Sequence, residues 1–208
     1  MIYVLDLDGT LIDSSIRHGE LLRDILNKYN INCSVNFENE YLEFKRNGGS
    51  TFYYLQDVMG LSKVLCTEIS RKWIEHIEDW KWLLKDILYD DALPFLNRIS
   101  KENTIVYLSS RQSITNLFKE LNSLCIDRFA KEIFVSNPLD GYKGKEHYLK
   151  EIKHMYQDKI VVIGDTEVDA KAANSENCEF IAINRGFRSV IFWNQIGIRS
   201  FDSLDKLR

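Results

Sequence analysis

The chain has 208 residues, enough for one large domain or one domain carrying an insertion, and too few for three. With 45% hydrophobic residues, including 11 Phe, 10 Tyr and 4 Trp, it holds the material for a core, which excludes a chain disordered along its whole length. Its 27 Lys and Arg against 31 Asp and Glu give a net charge of -4, so no overall positive field draws it to nucleic acid or anionic lipid, and an anionic ligand must be held by local groups.

The N-terminus, MIYVLDLDGT, runs directly into a short apolar stretch without a basic leader or a small-residue cleavage site, and is not expected to be a signal peptide. Residues 2–7 predict a buried strand. From residue 14 to about 93 the periodicity is helical, through Leu21, Leu22, Ile25, Leu26 and Tyr29 and then Ile69, Trp73, Ile77, Trp80 and Leu84. Roughly 80 residues exceed any simple crossover between strands, so this interval predicts an inserted helical unit, with Pro94 near the return to the sheet. Trp73, Trp80 and Trp82 read as packing within it, Trp82 off the main stripe. Further strands are predicted at 104–108, 132–135, 160–163 and 179–183. Between them, Ile114, Leu117, Phe118, Leu121 and Leu124, then Tyr148, Leu149, Ile152 and Met155, recur at helical spacing. The tail from residue 186 is expected to close the sheet. The fold class is therefore α/β, a Rossmann-like parallel sheet core of residues 1–13 and 94–208 with a helical cap, 14–93, inserted after the first strand. No 18 consecutive apolar residues occur, so no membrane span is expected. Four scattered cysteines without a CxxC pair predict a reduced, cytoplasmic chain.

Open parallel sheets bind ligands at the carboxyl ends of their strands. The first end carries Asp6 and Asp8 in DLDGTLIDS; two residues apart on an extended strand, their carboxylates share one face about 6 to 7 Å apart. Gly9 permits a tight turn and close approach of a ligand. The second end gives Ser109, Ser110 and Arg111 in YLSSRQ, where a hydroxyl and the amides of a helix start can hold phosphate oxygens; Ser113 is the better helix cap. The third is followed by Lys143 and Lys145 in GYKGKEHY, and a lysine opening a helix is disfavoured by the helix dipole unless an anion sits nearby. The fourth gives Asp165 and Asp169 in GDTEVD, four apart on one helical face. Asp165 with Asp6 would suit magnesium, which takes oxygen ligands from one or two carboxylates, phosphate and water, whereas Asp169 could instead serve the helix N-terminus.

DLDGTLIDS at the N-terminus, a serine after the second sheet strand, a helix-opening lysine and GDTEVD, in this order, resemble the haloacid dehalogenase superfamily. The likeness is to its aspartyl-phosphate phosphatase branch with a helical cap, as in phosphoglycolate phosphatase-like and beta-phosphoglucomutase-like members. The resemblance implies that Asp6 is the nucleophile and Asp8 the general acid and base, and that magnesium is held by Asp6, Asp165 and the Asp8 backbone carbonyl. It also implies that Ser109, Ser110 and Lys145 bind the phosphoryl oxygens, with Asp169 and Thr10 supporting them from behind. The lysine is not followed by the family's usual proline, which leaves Lys143 as the alternative to Lys145. Members with dehalogenase activity lack an aspartate at the Asp8 position, which favours phosphoryl transfer here.

The expected activity is a magnesium-dependent phosphatase on a phosphomonoester of a small soluble metabolite. The alternatives are a sugar phosphomutase using the same aspartyl-phosphate and a catalytically silent phosphate-binding module. A nucleic-acid partner is not expected, and a monomer is compatible with the sequence. In the cap, FKRNGGS (44–50) places Lys45 and Arg46 as candidates for a polar or anionic part of the substrate, with Arg111 a further candidate from the core. Arg17 and His18 are weaker ones, His18 being expected as an exposed helix residue.

Overall fold

The computed structural model describes residues 1–137 and 144–207. Six parallel strands form one sheet: β1 (Ile2–Leu5), β4 (Thr104–Ser109), β5 (Glu132–Val135), β6 (Ile160–Gly164), β7 (Glu179–Ile183) and β8 (Ser200–Phe201), in the spatial order β5-β4-β1-β6-β7-β8. From β1 the chain builds outward to β4 and β5, then returns to β6, β7 and β8 on the other flank. The reversal makes the carboxyl end of β1 the switch point at which such sheets open a crevice.

Alternation on these strands feeds two apolar layers. Leu5, Ile105, Tyr107, Val161 and Ile163 pack with α6 (Ala92–Ile99) and α7 (Ile114–Ser123) on one face. Ile2, Val4, Val106, Leu108, Ile160 and Val162 pack on the other with α8 (Lys145–Tyr156) and α9 (Glu167–Ser175). Both faces of the central strands are thus covered, which explains their near-continuous apolar runs. The tail supplies α10 (Val190–Gln195) and β8 at the sheet edge.

Between β1 and β4 lies a helical unit of α1 (Ser15–Lys28), α2 (Phe37–Arg46), α3 (Thr51–Tyr53) running into a π-helical turn at Tyr54–Val58, α4 (Lys63–His76) and α5 (Trp80–Leu83). It has its own apolar cluster, including Leu22, Leu26, Tyr41, Tyr54, Leu55 and Ile69. Trp82, off the expected stripe, is buried in this cluster, whereas Leu84 on the stripe is 64% exposed. Helix α4 stops at His76, so the period does not carry through to residue 84.

Two further departures concern the linkers. The first strand ends at Leu5 instead of residue 7, because the Leu7 carbonyl turns back to accept the amides of Thr10, Leu11 and Ile12. The chain entering and leaving the helical unit pairs as β2 (Ile12–Asp13) with β3 (Ile87–Leu88), antiparallel, where only helical periodicity was expected. Two-residue strands are too short to carry a period of their own.

Just beyond, buried Asp91 accepts from Arg185 Nη1 (2.6 Å), Ser203 Oγ (2.7 Å) and the Leu204 amide (2.8 Å), tying this exit to the tail. Asp91→Ala would leave Arg185 without its carboxylate and is expected to lower the unfolding free energy by about 3 kcal/mol, measurable by urea denaturation. Among the described residues no helix is long and apolar enough to cross a membrane. All four cysteines are free thiols.

Candidate active site

Parallel register carries Leu5 opposite Tyr107 and Ile163, so the residues just beyond β1, β4 and β6 emerge at one level. Asp6, Ser109 and Asp165 therefore come together at the switch point, all buried. Gly9 adopts φ +78°, and a Cβ there would stand 2.1 Å from Asp165 Oδ2. Gly186, in the loop after β7, presses on the same carboxylate from the other side, where a Cβ would stand 2.2 Å away. Only a bare backbone fits either position. The adjacent Phe187 amide donates to Asp165 Oδ2 at 2.5 Å, while Asp165 Oδ1 has no protein partner.

Lys145 begins α8 and is 4% exposed. Its Nζ donates to Asp6 Oδ1 at 2.5 Å and to Asp169 Oδ1 at 2.6 Å, which is the anionic company its place at a helix start demands. Asp169 serves both roles open to it: Oδ1 meets the lysine, and Oδ2 accepts the Thr166 amide and hydroxyl in a capping box. Oxygens of Asp6, Asp165 and Asp169 all lie within 4.8 Å of one another. Burial, outweighing the nearby ammonium, pushes the Asp6 carboxyl up to about 7. Burial and the neighbouring Asp6 and Asp169 raise Asp165 well above the usual carboxylate range. Burial works against the charge of Lys145, yet Asp169 and Asp6 hold its ammonium above its ordinary value. Three buried carboxylates against one ammonium, with one carboxylate oxygen unpartnered, fit a hard divalent cation as the missing positive charge.

The Asp8 carboxylate stands outside that cluster. Arg17 Nη2 donates to its Oδ1 at 2.5 Å, and Arg111 reaches both its oxygens, Nη2 at 3.0 Å and Nε at 2.7 Å. Although burial opposes ionisation, Arg111 and Arg17 hold the Asp8 carboxyl below its ordinary range. Each guanidinium is held by a second carboxylate, Arg17 by Asp86 at 3.1 Å and Arg111 by Glu120 at 2.9 Å. Burial pushes Asp86 up to about 9 and Glu120 upward.

This clasp around Asp8 was not anticipated, but the sequence carries a sign of it. Arg17 is in register with Leu21 and Ile25, and Glu120 lies three residues after Leu117, so both charges fall on apolar helical stripes. They are each 1% exposed. Arg111, expected as a candidate for contacting the substrate, braces Asp8.

Among the other expected residues, Ser109 is buried at the end of β4 and Ser110 is exposed beside it. Ser113 caps α7, accepting the Asn116 amide. Thr10 is buried in the turn, with its carbonyl accepting from Arg185 Nη2 at 2.8 Å. Lys143 lies outside the described residues. Arg46 donates to the Asn184 carbonyl at 3.0 Å, so it meets the core loop after β7.

Lys45 packs over the Phe187 ring (4.6 Å) and the Trp73 ring (5.0 Å), with Nζ 3.0 Å from His18 Nδ1. Burial and Arg188 lower its ammonium to about 7. His18 is not the exposed helix residue expected. It is half-buried between Trp73 and Phe187, with ring centroids 5.0 and 4.4 Å away, because the helical unit closes its face of α1 against the core. Burial, then Lys45, lowers its pKa well below the ordinary histidine value.

The helical unit is seated on the core from two sides. Glu78 accepts the Gln112 and Ser113 amides, each at 2.7 Å, at the start of α7. Opposite, the Lys45 carbonyl accepts from Arg188 Nη1 (2.8 Å) and the Arg46 carbonyl from the Ser189 amide (2.9 Å). Asp8 and the cluster of Asp6, Asp165 and Asp169 are thereby roofed.

Comparison with solved structures finds the same fold in several proteins. A haloacid dehalogenase-like family hydrolase from Streptococcus pneumoniae superposes with a TM-score of 0.75 at 18% identity, over 96% of this chain and 91% of that one. A predicted phosphatase from Clostridium acetobutylicum gives 0.75 at 21% identity, over 99% and 95%. A predicted phosphoglycolate phosphatase from Haemophilus somnus gives 0.74 at 18% identity, over 98% and 94%. No curated protein sequence matches the chain. Residues 3–183, which hold every carboxylate of the site and Lys145, match the family model for haloacid dehalogenase-like hydrolases, and the chain belongs to that family.

Proposed function

We propose that this chain is a magnesium-dependent phosphatase that hydrolyses the phosphomonoester of a small metabolite through an aspartyl-phosphate on Asp6. The observation that carries the reading is Lys145, whose ammonium lies between Asp6 and Asp169 at 2.5 and 2.6 Å. A carboxylate attacking a phosphate dianion meets like charge, and a fixed cation at the nucleophile offsets that repulsion. In the first step an Asp6 oxygen bonds to phosphorus, the bond from phosphorus to the leaving oxygen breaks, and Asp8 gives that oxygen a proton. In the second, water attacks phosphorus, Asp8 takes its proton, and the bond to Asp6 breaks to release inorganic phosphate. Arg111 and Arg17 keep Asp8 in the ionised form the second step needs, and the charge of a bound phosphate ester beside it favours the proton required by the first.

Asp6, Asp165 and the Asp8 carbonyl would hold magnesium, which when bound supplies positive charge to the phosphoryl oxygens. Ser109, Ser110 and the amides that follow them would receive the same oxygens. Residues 14–93 act as the cap, excluding water from the site, and Lys45 and Arg46 seat it against the core. The four free thiols suit a reducing compartment, the cytoplasm.

The test is phosphate release from a panel of phosphomonoesters with and without magnesium, wild type beside Asp8→Asn. Magnesium-dependent release, lowered about 10² to 10⁴-fold in kcat by Asp8→Asn, is expected. An isomerised ester without net phosphate release would instead indicate a mutase.

A further inference from the structure

Beside Asp8 the closed cap leaves a cavity of about 320 Å³, small among ligand pockets, which run from roughly 300 to 1,000 Å³. An alcohol that receives its proton from Asp8 departs into this space. On the cap side the lining combines the apolar Trp73, Ile74 and Ile77 with Arg17, His18 and Glu78. The core side supplies the neutral groups of Ser110 and Gln112 beside Asp8 and Arg111, the Gln112 side-chain amide donating to the Ile74 carbonyl at 2.8 Å.

The charges on the lining are already matched. Arg17 and Arg111 share the Asp8 carboxylate, and each meets a second carboxyl group, Asp86 and Glu120 respectively. Glu78 is occupied by two backbone amides. Among the described residues no lysine lines the cavity, the nearby Lys45 being turned to His18 and the Phe187 ring. A leaving group bearing its own carboxylate or second phosphate would enter beside Asp8 and Glu78 and, among the described residues, find no uncommitted cation on the lining, whereas an apolar surface placed against Trp73, Ile74 and Ile77 gains burial.

We infer that the alcohol released by this site is uncharged and presents an apolar face, of the benzyl or branched-alkyl kind, and that Trp73 sets this specificity. The inference rests on the phosphatase reading above, and esters carrying a carboxylate or a second phosphate are then poor substrates.

The experiment compares benzyl phosphate with phosphoglycolate as substrates of the full chain in magnesium. Alongside it, calorimetry compares binding of two non-hydrolysable phosphonates that carry the same end groups, each one bridging atom shorter than its ester, benzylphosphonate and phosphonoacetate. We expect kcat/KM for benzyl phosphate to exceed that for phosphoglycolate by about tenfold or more, and the phosphonates to bind in the same order. Trp73→Ala should erase most of that ratio through KM, and Trp73→Phe, which keeps an apolar ring and a folded cap, should retain it. Equal or better use of phosphoglycolate, or tighter binding of phosphonoacetate, would overturn the inference, as would binding of neither phosphonate. If no ester is hydrolysed yet benzylphosphonate binds more tightly, the cavity's preference stands and the phosphatase reading fails.

Discussion

Asp6→Asn is expected to reduce phosphate release by on the order of 10⁴-fold or more, while leaving a folded protein. An amide oxygen is a poor nucleophile toward phosphorus, and no described carboxylate can replace Asp6 at the end of β1. Asp165 is held by the Phe187 amide between Gly9 and Gly186, and Asp169 is committed to Lys145 and the capping box. The fold should tolerate the change because Asp6 is an unfavourable anion in the absence of a bound cation, its carboxyl being pushed up to about 7 by burial. Asparagine has the same shape and no charge to desolvate. Phosphate-release kinetics together with thermal melting in a chelator would check both halves: activity lost, and a Tm at or above that of wild type.

The second large effect is expected at Lys145. Lys145→Ala removes the ammonium from between Asp6 and Asp169, so both activity and stability should fall. Loss of one preorganised charge at the reacting group is worth about 10² to 10³-fold in kcat. Leaving two buried carboxylates without their counter-charge costs about 3 to 5 kcal/mol. A carboxyl whose pKa is raised on folding loses stability as pH rises, because the folded state then gives up a proton it holds more tightly than the unfolded chain does. The stability deficit should therefore be larger at pH 8 than at pH 6 in urea titrations, and magnesium should restore part of it. Lys143→Ala, by contrast, should stay close to wild type in both measurements. A loss of activity confined to Lys143→Ala would exchange their roles.

Much of the sheet was legible in the sequence because its central strands are buried on both faces and so read as unbroken apolar runs, as at 160–163. The switch point followed, and with it the gathering of Asp6, Ser109 and Asp165. Lys145 was legible through its misfit, a cation at a helix start, and the structure supplies the two carboxylates that account for it.

What could not be read depends on contacts across long separations. Asp8 meets Arg17 and Arg111, 9 and 103 residues away, and although Arg17 on an apolar stripe signals a buried charge, nothing local names its partner. Gly186 gives no sign by itself that it presses on Asp165, since only the return of β7 brings it there. The burial of His18 needs the cap closed over Phe187, a matter of how two units meet and not of the periodicity of α1. The β2 and β3 pairing was hidden because each strand is two residues long.

The central claim is that a phosphoryl group passes through Asp6, and the most direct measurement is to trap it there. The Asp8→Asn variant, which lacks the acid of the first step and the base of the second, would be mixed in magnesium with a nitrophenyl phosphate carrying a radiolabelled phosphoryl group, whose nitrophenolate leaves without needing a proton, then quenched in acid and digested. We predict label on the N-terminal peptide at Asp6, lost on treatment with hydroxylamine, and none in an Asp6→Asn, Asp8→Asn double variant. Phosphate release by wild type with no label on Asp6 at any time of quenching, or label on another residue, would contradict the account.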